Sequence, residues 1–318
     1  MNILVTGAAG FIGFHVAERL LEEGHSVIGL DNINDYYPTS QKEKNIEDLK
    51  QYGNFSFYKH DLKYKVNVSE EIDVICHLAA QAGVRYSLEN PTVYEESNSQ
   101  GTLNILEYAR YNDIEKVVYA SSSSVYGEIK DQPFKETMQL DKPISLYAAT
   151  KKHNELQAHT YNHLYGIKTI GLRFFTVYGP RGRPDMAPFL FADAIAKGKP
   201  IKVFNEGDMK RDFTYVGDIV EGVISAINTE LDFEVINLGR GQPVNLLEFI
   251  ETMEKHMGEK AEKKYLPMQP GDVKETYADI SKAKKQLNYQ PRTSIDEGVK
   301  KFVEWYKQNA YTKTQKSS

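Results

Sequence analysis

The sequence is poor in cysteine and has no excess of basic residues. Its 318 residues include a single cysteine, Cys76, which excludes a disulfide within the chain and favours a reducing compartment. The formal net charge is −5 at pH 7, and no basic block stands apart from acidic residues. This charge balance argues against a surface for nucleic acid or anionic membranes. Small molecules are therefore the expected partners.

Long hydrophobic runs are also missing. No uninterrupted apolar stretch reaches the ~20 residues that a membrane-spanning helix needs. The first apolar run, Ile3-Leu-Val5, follows Met1-Asn2 directly and leaves no room for a signal peptide. We therefore expect a cytoplasmic protein with no membrane partner.

The length and the hydrophobic pattern predict an α/β protein with two unequal domains. The chain exceeds the ~250 residues at which a single core usually stops growing. In the first half, β-branched runs alternate with helical patterns, which predicts a doubly wound parallel sheet with helices on both faces. The predicted strands are 3–6, 26–30, 55–58, 74–78, 117–121 and 169–173, and the main helices are 11–23, 97–111 and 147–165.

A change of rhythm marks the predicted domain boundary. A loop rich in Pro, Gly and Arg runs from Gly179 to Pro184, and the alternation after it is less regular. Residues 1–178 are therefore expected to form the larger domain, and residues 179–318 mainly a smaller α/β domain that includes a helix near 189–197. A strand at 235–238 is expected to rejoin the first sheet through a segment near 219–240.

A glycine loop lies between the first predicted strand and the first predicted helix. Gly7, Gly10 and Gly13 stand there, with Phe11 and Ile12 between the last two. Glycines allow the tight turn and the close approach of backbone to a pyrophosphate, and the helix N-terminus adds N–H donors and positive dipole. The strand–loop–helix context predicts a Rossmann-type dinucleotide site.

The end of the second predicted strand specifies the dinucleotide. Asp31 lies about 20 residues after the glycine loop, where its carboxylate can accept hydrogen bonds from both hydroxyls of the adenosine ribose. The same charge would repel a 2′-phosphate, and neither Asn32 nor Ile33 offers an arginine to hold one. NAD is therefore the predicted cofactor, with Asn32 beside Asp31 in its site.

Two further strand ends are expected to line the cofactor. The small residues after the fourth strand would let a flat cofactor lie against the backbone, although simple packing is the alternative. The expected contacts are Asp61, Leu62, Leu78, Ala79, Ala80 and Gln81. His77 is interpreted as a packed residue, because no second His or Cys stands at metal-ligand spacing. No metal is predicted.

Tyr147 and Lys151 form the candidate proton-transfer pair. Residues four apart share one face of a helix, and the ammonium would lower the pKa of the phenol from its usual value of ~10. Ser145 is a plausible cap for the helix that carries them. With 21 tyrosines, chance supplies such spacings, and Tyr126 and Lys130 show one in a turn context. From spacing alone, Tyr147 is either a general base or a surface residue.

Several motifs together resemble those of the extended short-chain dehydrogenase/reductase family. In addition to the glycine loop, they include Leu78-Ala-Ala80, Asn98 with Gly101-Thr-Leu-Asn104, Ser122 to Gly127, Tyr147 to Lys151, Arg173 to Pro180 and Arg211 to Asp218. Three motifs are similar to those of UDP-glucuronate 4-epimerases, namely 81–87, 145–152 and 182–187. The resemblance covers nearly the whole chain.

The resemblance implies a reversible hydride cycle without net redox change. Tyr147, supported by Lys151, would take the proton from the sugar O4 while C4 gives hydride to NAD, and the 4-keto sugar would turn over and take the hydride back. Ser122 would donate a hydrogen bond to O4, and Lys151 would hold the nicotinamide ribose. Asn98 and Ser121 are expected at the cofactor, although the alternative for Ser121 is a polar strand end.

The same resemblance locates the choice of substrate. Related dehydratases carry Asp-Glu where this chain has Ser123-Ser124, and related decarboxylases carry a Glu in place of Ser124. A 4-keto uronate is a β-keto acid that loses CO₂ readily, so an epimerase must hold its carboxylate. The candidates are Ser123, Ser124, Thr176, Arg183 and Arg85, although both arginines could be solvated loop cations.

The nucleotide end is expected in the second domain. The resemblance implies Arg211 at the diphosphate, Asp272 at the uridine ribose and the strand around Val203 beside the uracil. A homodimer through the helices at 97–111 and 147–165 is likewise implied. The predicted activity is interconversion of UDP-glucuronate and UDP-galacturonate. The alternatives are a 4-epimerase of neutral UDP-hexoses or N-acetylhexosamines, a UDP-glucuronate decarboxylase, and a non-catalytic NAD-binding sensor.

Overall fold

The computed structural model describes residues 1–268 and 273–309. Its strands are β1 (Asn2–Thr6), β2 (Ser26–Asp31), β3 (Phe55–Lys59), β4 (Val74–His77), β5 (Lys116–Ser122), β6 (Lys168–Phe174), β7 (Thr176–Tyr178), β8 (Ile201–Phe204), β9 (Lys210–Arg211), β10 (Phe213–Tyr215), β11 (Phe233–Leu238), β12 (Val244–Asn245), β13 (Lys263–Leu266) and β14 (Glu275–Thr276).

The helices separate most of these strands. They are α1 (Phe11–Glu22), α2 (Thr39–Leu49), α3 (Tyr86–Glu89), α4 (Pro91–Tyr94), α5 (Gly101–Tyr111), α6 (Leu146–Tyr165), α7 (Ala187–Ala196), α8 (Val216–Asn228), α9 (Leu246–Met257), α10 (Ser281–Leu287) and α11 (Ile295–Asn309). Short 3₁₀ turns lie at Ser123–Tyr126 and Asn205–Gly207, and Glu95–Gln100 form a π-helical turn between α4 and α5.

Seven parallel strands form the main sheet in the order β11-β6-β5-β4-β1-β2-β3. The order reverses between β1 and β4, which is where ligands bind in open parallel sheets. The predicted α/β fold with a doubly wound parallel sheet is confirmed. The strand expected at 235–238 spans Phe233–Leu238 and pairs with β6.

Buried side chains cover both faces of this sheet. One apolar cluster joins it to α1 and α8, and the other joins it to α5 and α6. A separate cluster lies between α7, α9 and α11 and includes Phe249 and Phe302, both nearly inaccessible to solvent. The division into residues 1–178 and 179–318 stays a prediction, and the separate cluster supports it.

The segment expected as a helix at 97–111 is helical throughout, but its first four residues are not regular α-helix. Residues Glu95–Gln100 form a π-helical turn, and α5 starts at Gly101. Within this turn Asn98 is buried, with its amide against the backbone of Gln81. The contact between Asn98 and Gln81 occurs within the π-helical turn. The local sequence pattern specifies neither the contact nor the turn.

Candidate active site

One cavity of about 1150 Å³ opens at the carboxyl ends of the main-sheet strands. It extends from the glycine loop to β8 and to Arg211 on β9. It brings together most of the residues predicted from the sequence, which are Gly7, Gly10, Phe11, Ile12, Gly13, Asp31, Asn32, Asp61, Leu62, Leu78, Ala79, Ala80, Gln81, Arg85, Ser121, Ser122, Ser123, Ser124, Tyr147, Lys151, Thr176, Arg183 and Arg211.

Two predicted residues within the described ranges are not in its lining. Asn98 lies behind it, where its Oδ1 accepts from the N–H of Gln81 at 2.8 Å and its Nδ2 donates to the Gln81 carbonyl at 3.0 Å. Val203 is fully buried, whereas its neighbours Lys202 and Phe204 line the cavity. Asp272 lies outside the described residues.

The glycine loop requires glycine at two positions. Gly7 has a φ of +74°, and a Cβ there would lie 2.9 Å from the backbone nitrogen of Ala79. A Cβ on Gly13 would lie 2.0 Å from the carbonyl oxygen of Gly7. Helix α1 begins at Phe11 without a side-chain cap, so the N–H groups of its first turn can bind an anionic group.

Asp31 lies beside this loop at the end of β2. Its Oδ2 accepts from the N–H of Ala9 at 3.2 Å and its Oδ1 from the N–H of Ile33 at 2.8 Å. Burial raises the pKa of Asp31, whereas the N–H of Ile33 and the charge of Lys42 act in the opposite direction. A loop with room only for glycine, an uncapped helix and a buried carboxylate together fit a dinucleotide.

The cavity also contains residues that the sequence reasoning missed. Asn34, Tyr36, Tyr37 and Lys42 line it near Asp31. Lys42 is buried, and its Nζ donates to the carbonyl of Asn34 at 2.7 Å. The signal for Asn34 and the two tyrosines was the polar and aromatic run directly after Asp31, whereas Lys42 enters from α2.

Tyr147 and Lys151 reach the cavity from the first turns of α6. The predicted cap is confirmed, because the Ser145 hydroxyl accepts from the N–H of Ala148 at 3.1 Å. Opposite them, β5 ends at Ser122, whose hydroxyl accepts from the N–H of Ser124 and donates to its hydroxyl, both at 3.1 Å. The strand end and the helix start thus place a hydroxyl, a phenol and an amine in one cavity.

The pKa of Tyr147 differs from the expectation. Burial raises the pKa of Tyr147 above 10. This effect outweighs the hydrogen bond with Ser122 and the charge of Arg183, which both lower the pKa. The predicted net lowering of this pKa by Lys151 is therefore wrong. Burial also lowers the pKa of Lys151 to about 8, and its Nζ donates to the carbonyl of Ala120 at 3.0 Å.

The candidate residues for a substrate carboxylate lie along the same wall. Ser123 and Ser124 start the 3₁₀ turn after β5, and Thr176 starts β7. Arg183 is paired with Asp185 through two hydrogen bonds, from Nε to Oδ1 at 2.9 Å and from Nη2 to Oδ2 at 2.6 Å.

The two other predicted arginines already have contacts. The guanidinium of Arg85 lies 5.4 Å from the centre of the Phe204 ring. Nη1 of Arg211 donates to the carbonyls of Lys210 and Lys274 at 2.9 and 3.1 Å. Both remain in the cavity lining.

Comparison with known proteins assigns the chain to a family. The family model described as GDP-mannose 4,6 dehydratase matches residues 4–302. The chain belongs to this family. The resemblance to nucleotide-sugar short-chain dehydrogenases/reductases, and among them to UDP-glucuronate 4-epimerases, is confirmed.

Similar proteins cover almost the whole of this family member. A protein of Methanocaldococcus jannaschii, described as uncharacterized, is 58% identical over 315 residues, which are 97% of each chain. The UDP-glucuronate 4-epimerase of Thermodesulfobacterium geofontis is 48% identical over 312 residues, 96% of each chain. The crystal structure of UDP-glucuronic acid 4-epimerase from Bacillus cereus in complex with UDP-glucuronic acid and NAD has a TM-score of 0.91 at 38% identity, covering 97% of this chain and 99% of that one.

The described residues offer neither a membrane-crossing helix nor a cluster of metal ligands. None of the helices within 1–268 and 273–309 combines the length and the hydropathy needed to cross a bilayer. In the same ranges, no group of three or more His, Cys, Asp or Glu side chains is placed to hold a metal ion.

Proposed function

We propose that this protein is an NAD-dependent 4-epimerase that interconverts UDP-glucuronate and UDP-galacturonate through a transient 4-keto sugar. The observation that carries the proposal is the meeting of Ser122, Tyr147 and Lys151 in one cavity with a dinucleotide loop and a wall of three hydroxyls and an arginine. The two epimerase relatives named above support the substrate class.

Residues of the first domain hold the cofactor in this proposal. The glycine loop and α1 bind the pyrophosphate, Asp31 accepts from the adenosine ribose, and the backbone of Leu78 to Gln81 supports the nicotinamide end. When bound, NAD supplies a reversible hydride acceptor for C4 of the sugar.

Three side chains carry the proton chemistry. Tyr147 takes the proton from O4 as the hydride leaves C4 and returns it afterwards. Once the nicotinamide ribose lies against Lys151, the positive charge of this lysine favours the phenolate form of Tyr147. Ser122, whose hydrogen bond lowers the pKa of Tyr147, steadies the developing charge on O4.

The bond to the carboxylate of a 4-keto uronate must not align with the π system of the C4 carbonyl, because alignment releases CO₂. The enzyme must therefore fix the orientation of this carboxylate. The hydroxyls of Ser123, Ser124 and Thr176 and the guanidinium of Arg183 are the groups proposed to hold it. Ser123 and Ser124 occupy positions that carry acids in related dehydratases and decarboxylases, so those two reactions are disfavoured.

The nucleotide end lies towards the second domain. Arg211 is proposed at the diphosphate, with Arg85 as a second cation in the cavity lining. The strand around Val203 is proposed beside the uracil, and Asp272, outside the described residues, at the uridine ribose.

We also propose a homodimer in the cytoplasm. Helices α5 and α6 expose Tyr111, Leu156, Leu164 and Tyr165, at 43 to 73% of their surface. Apolar side chains concentrated on adjacent helices are typical of an interface. The single cysteine, Cys76, is free and buried, and supports a reducing compartment.

One observation favours the second candidate, a 4-epimerase of neutral UDP-hexoses. Asp185 neutralises Arg183, so the wall near Tyr147 carries less positive charge than the sequence predicts. A neutral sugar does not need that charge.

Incubation of the purified protein with UDP-glucuronate and, separately, with UDP-glucose tests the proposal. Proton NMR should show UDP-galacturonate forming much faster than UDP-galactose. Formation of UDP-galactose alone would establish the second candidate, and CO₂ release with a UDP-pentose would establish a decarboxylase.

A further inference from the structure

A carboxylate and a phenol that the proposed reaction does not use surround Arg183. Asp185 accepts two hydrogen bonds from the guanidinium, and the hydroxyl of Tyr36 donates to Oδ2 of Asp185 at 3.0 Å. Tyr36 belongs to the loop between β2 and α2 on the cofactor side, whereas Arg183 and Asp185 belong to the loop before α7. The contact therefore joins the two sides of the cavity.

Tyr36 is itself fixed. Its ring packs against Tyr86 with the ring centres 4.9 Å apart. Its hydroxyl lies 2.6 Å from the position that a Cβ on Gly83 would occupy, and the φ of Gly83 is +103°. Only glycine at residue 83 leaves room for the hydroxyl that holds Asp185.

The loop that carries Arg183 is attached to the first domain at other points. His15 Nε2 lies 2.9 Å from the carbonyl of Pro180, and Gln41 donates to the carbonyl of Arg181 at 2.8 Å. The guanidinium of Arg181 donates to Asn45 and Asp48 on α2, both at 2.7 Å. The backbone on the N-terminal side of Arg183 is therefore positioned before any substrate binds.

Asp185 occupies only one edge of the Arg183 guanidinium. Both hydrogen bonds that this group makes to described residues use Nε and Nη2. A guanidinium has five N–H donors in a fixed plane, so the edge formed by Nη1 and Nη2 can still bind a second carboxylate side by side. The pair thus leaves a donor edge in a set direction within the cavity lining.

We propose that Asp185 is a positioning residue for substrate specificity, which, with Tyr36, fixes Arg183 so that its free edge receives the C6 carboxylate of the sugar. This inference rests on the proposed function. Without Asp185 the side chain of Arg183 can adopt several rotamers. Binding of the uronate then restricts it to one of them, which costs conformational entropy. Asp185 therefore favours acidic over neutral sugars, although its own charge is negative.

Binding to the NAD-loaded Tyr147→Phe protein, which should not turn over its ligands, tests the inference by calorimetry. The readout is the ratio of the dissociation constants of UDP-glucose and UDP-glucuronate. Asp185→Ala should lower this preference for the acid about tenfold, the effect of losing hydrogen bonds to a charged group. Arg183→Met should lower it at least as much, and the double variant no further than Arg183→Met alone.

Two further variants complete the design. Tyr36→Phe removes only a hydroxyl and should lower the preference by a smaller factor. Asp296→Ala removes a carboxylate from an exposed ion pair with Lys255, outside the cavity, and should leave the preference unchanged.

The outcomes separate the inference from the function on which it rests. A parent protein that binds UDP-glucuronate no better than UDP-glucose overturns the proposed acidic substrate and the inference with it. A parent that prefers the acid, together with Asp185→Ala and Tyr36→Phe variants that keep or increase this preference, overturns the inference alone. That result would mean that Asp185 competes with the substrate for Arg183.

Discussion

At the scale of single residues, burial sets the chemistry of the cavity. The spacing of Tyr147 and Lys151 predicts the two residue types that meet there, and the structure places both in one cavity. The spacing does not predict whether the pKa of Tyr147 is raised or lowered. That shift depends on how completely α6 and β5 enclose the phenol. The Arg183–Asp185 pair was equally unpredictable, since a two-residue separation in a loop defines no shared face.

Replacing the proposed base should stop the reaction without releasing the cofactor. Tyr147→Phe keeps the ring and removes the hydroxyl, so turnover should fall by roughly 10²–10⁴-fold. The NAD content of the purified variant, measured after denaturation, should match that of the parent. A variant with normal turnover would refute the assignment of Tyr147 as the base.

The hydroxyl of Ser122 should be visible in the pH profile. Its hydrogen bond lowers the pKa of Tyr147, so Ser122→Ala should raise that pKa and move the acidic limb of kcat/KM to higher pH. The rate itself should fall by about 10²-fold, as when an oxyanion donor is lost. Ser121→Ala is the matched control, because that hydroxyl donates to Glu155 instead, at 2.7 Å. A limb that moves equally in both variants would contradict the account.

At the scale of elements, a buried ion pair holds the catalytic helix against the sheet. Glu155 lies on α6 one turn beyond Lys151, and Arg173 on β6 donates to both of its oxygens at 2.8 and 2.9 Å. Arg173 also donates to the hydroxyl of Tyr126 at 3.0 Å, which donates to Asn237 on β11. The network spans α6, β5, β6 and β11 directly behind Ser122.

Breaking this pair should cost stability. Glu155→Gln leaves the Arg173 charge buried without its counter-ion, so the free energy of unfolding should fall by about 3–5 kcal/mol. Burial acts to raise the pKa of Glu155, but Arg173 and Ser121 outweigh it and the pKa is lowered. The difference in unfolding free energy between Glu155→Gln and the parent should therefore be largest above the unfolded-state pKa of about 4.3. It should shrink as the pH falls below that value.

Urea unfolding of two variants provides the measurement. Lys152→Met removes a half-buried partner of the same carboxylate and should cost less than about 1 kcal/mol. Equal losses in Glu155→Gln and Lys152→Met would contradict the proposed role of the buried pair.

Sequence patterns predicted the elements of the first domain closely. The first six strands of the main sheet lie within two residues of their predicted bounds, because their apolar runs are short and flanked by turn residues. The π-helical turn at Glu95–Gln100 was missed, since it coincides with a contact between Asn98 and Gln81 that no local pattern records. Val203 was placed correctly on a strand, but the pattern did not reveal that its side chain faces the core.

At the scale of the whole molecule, separate apolar clusters support the two predicted domains, and the cavity lies where residues of both meet. On α6, the exposed Leu156 lies on the opposite side of the helix from its buried face. The proposed dimer would cover the exposed apolar residues of α5 and α6 and bring together the helices that carry Tyr147 in each copy.

Light scattering should show a particle of twice the chain mass of 36.2 kDa. A double variant, Leu156→Glu and Leu164→Glu, places charge on the exposed face of α6 and should yield monomers. Tyr265→Ser, at an exposed apolar residue on β13, should leave the mass unchanged. A monomeric parent protein would refute the proposed homodimer.

The fate of the C4 hydrogen tests the proposed mechanism most directly. UDP-glucuronate deuterated at C4 is incubated with the purified protein in ordinary water, and the products are analysed by mass spectrometry and NMR. The account predicts UDP-galacturonate that keeps its deuterium at C4, because the hydride leaves and returns within the same closed site. Loss of the label to water, or the absence of UDP-galacturonate, would contradict it.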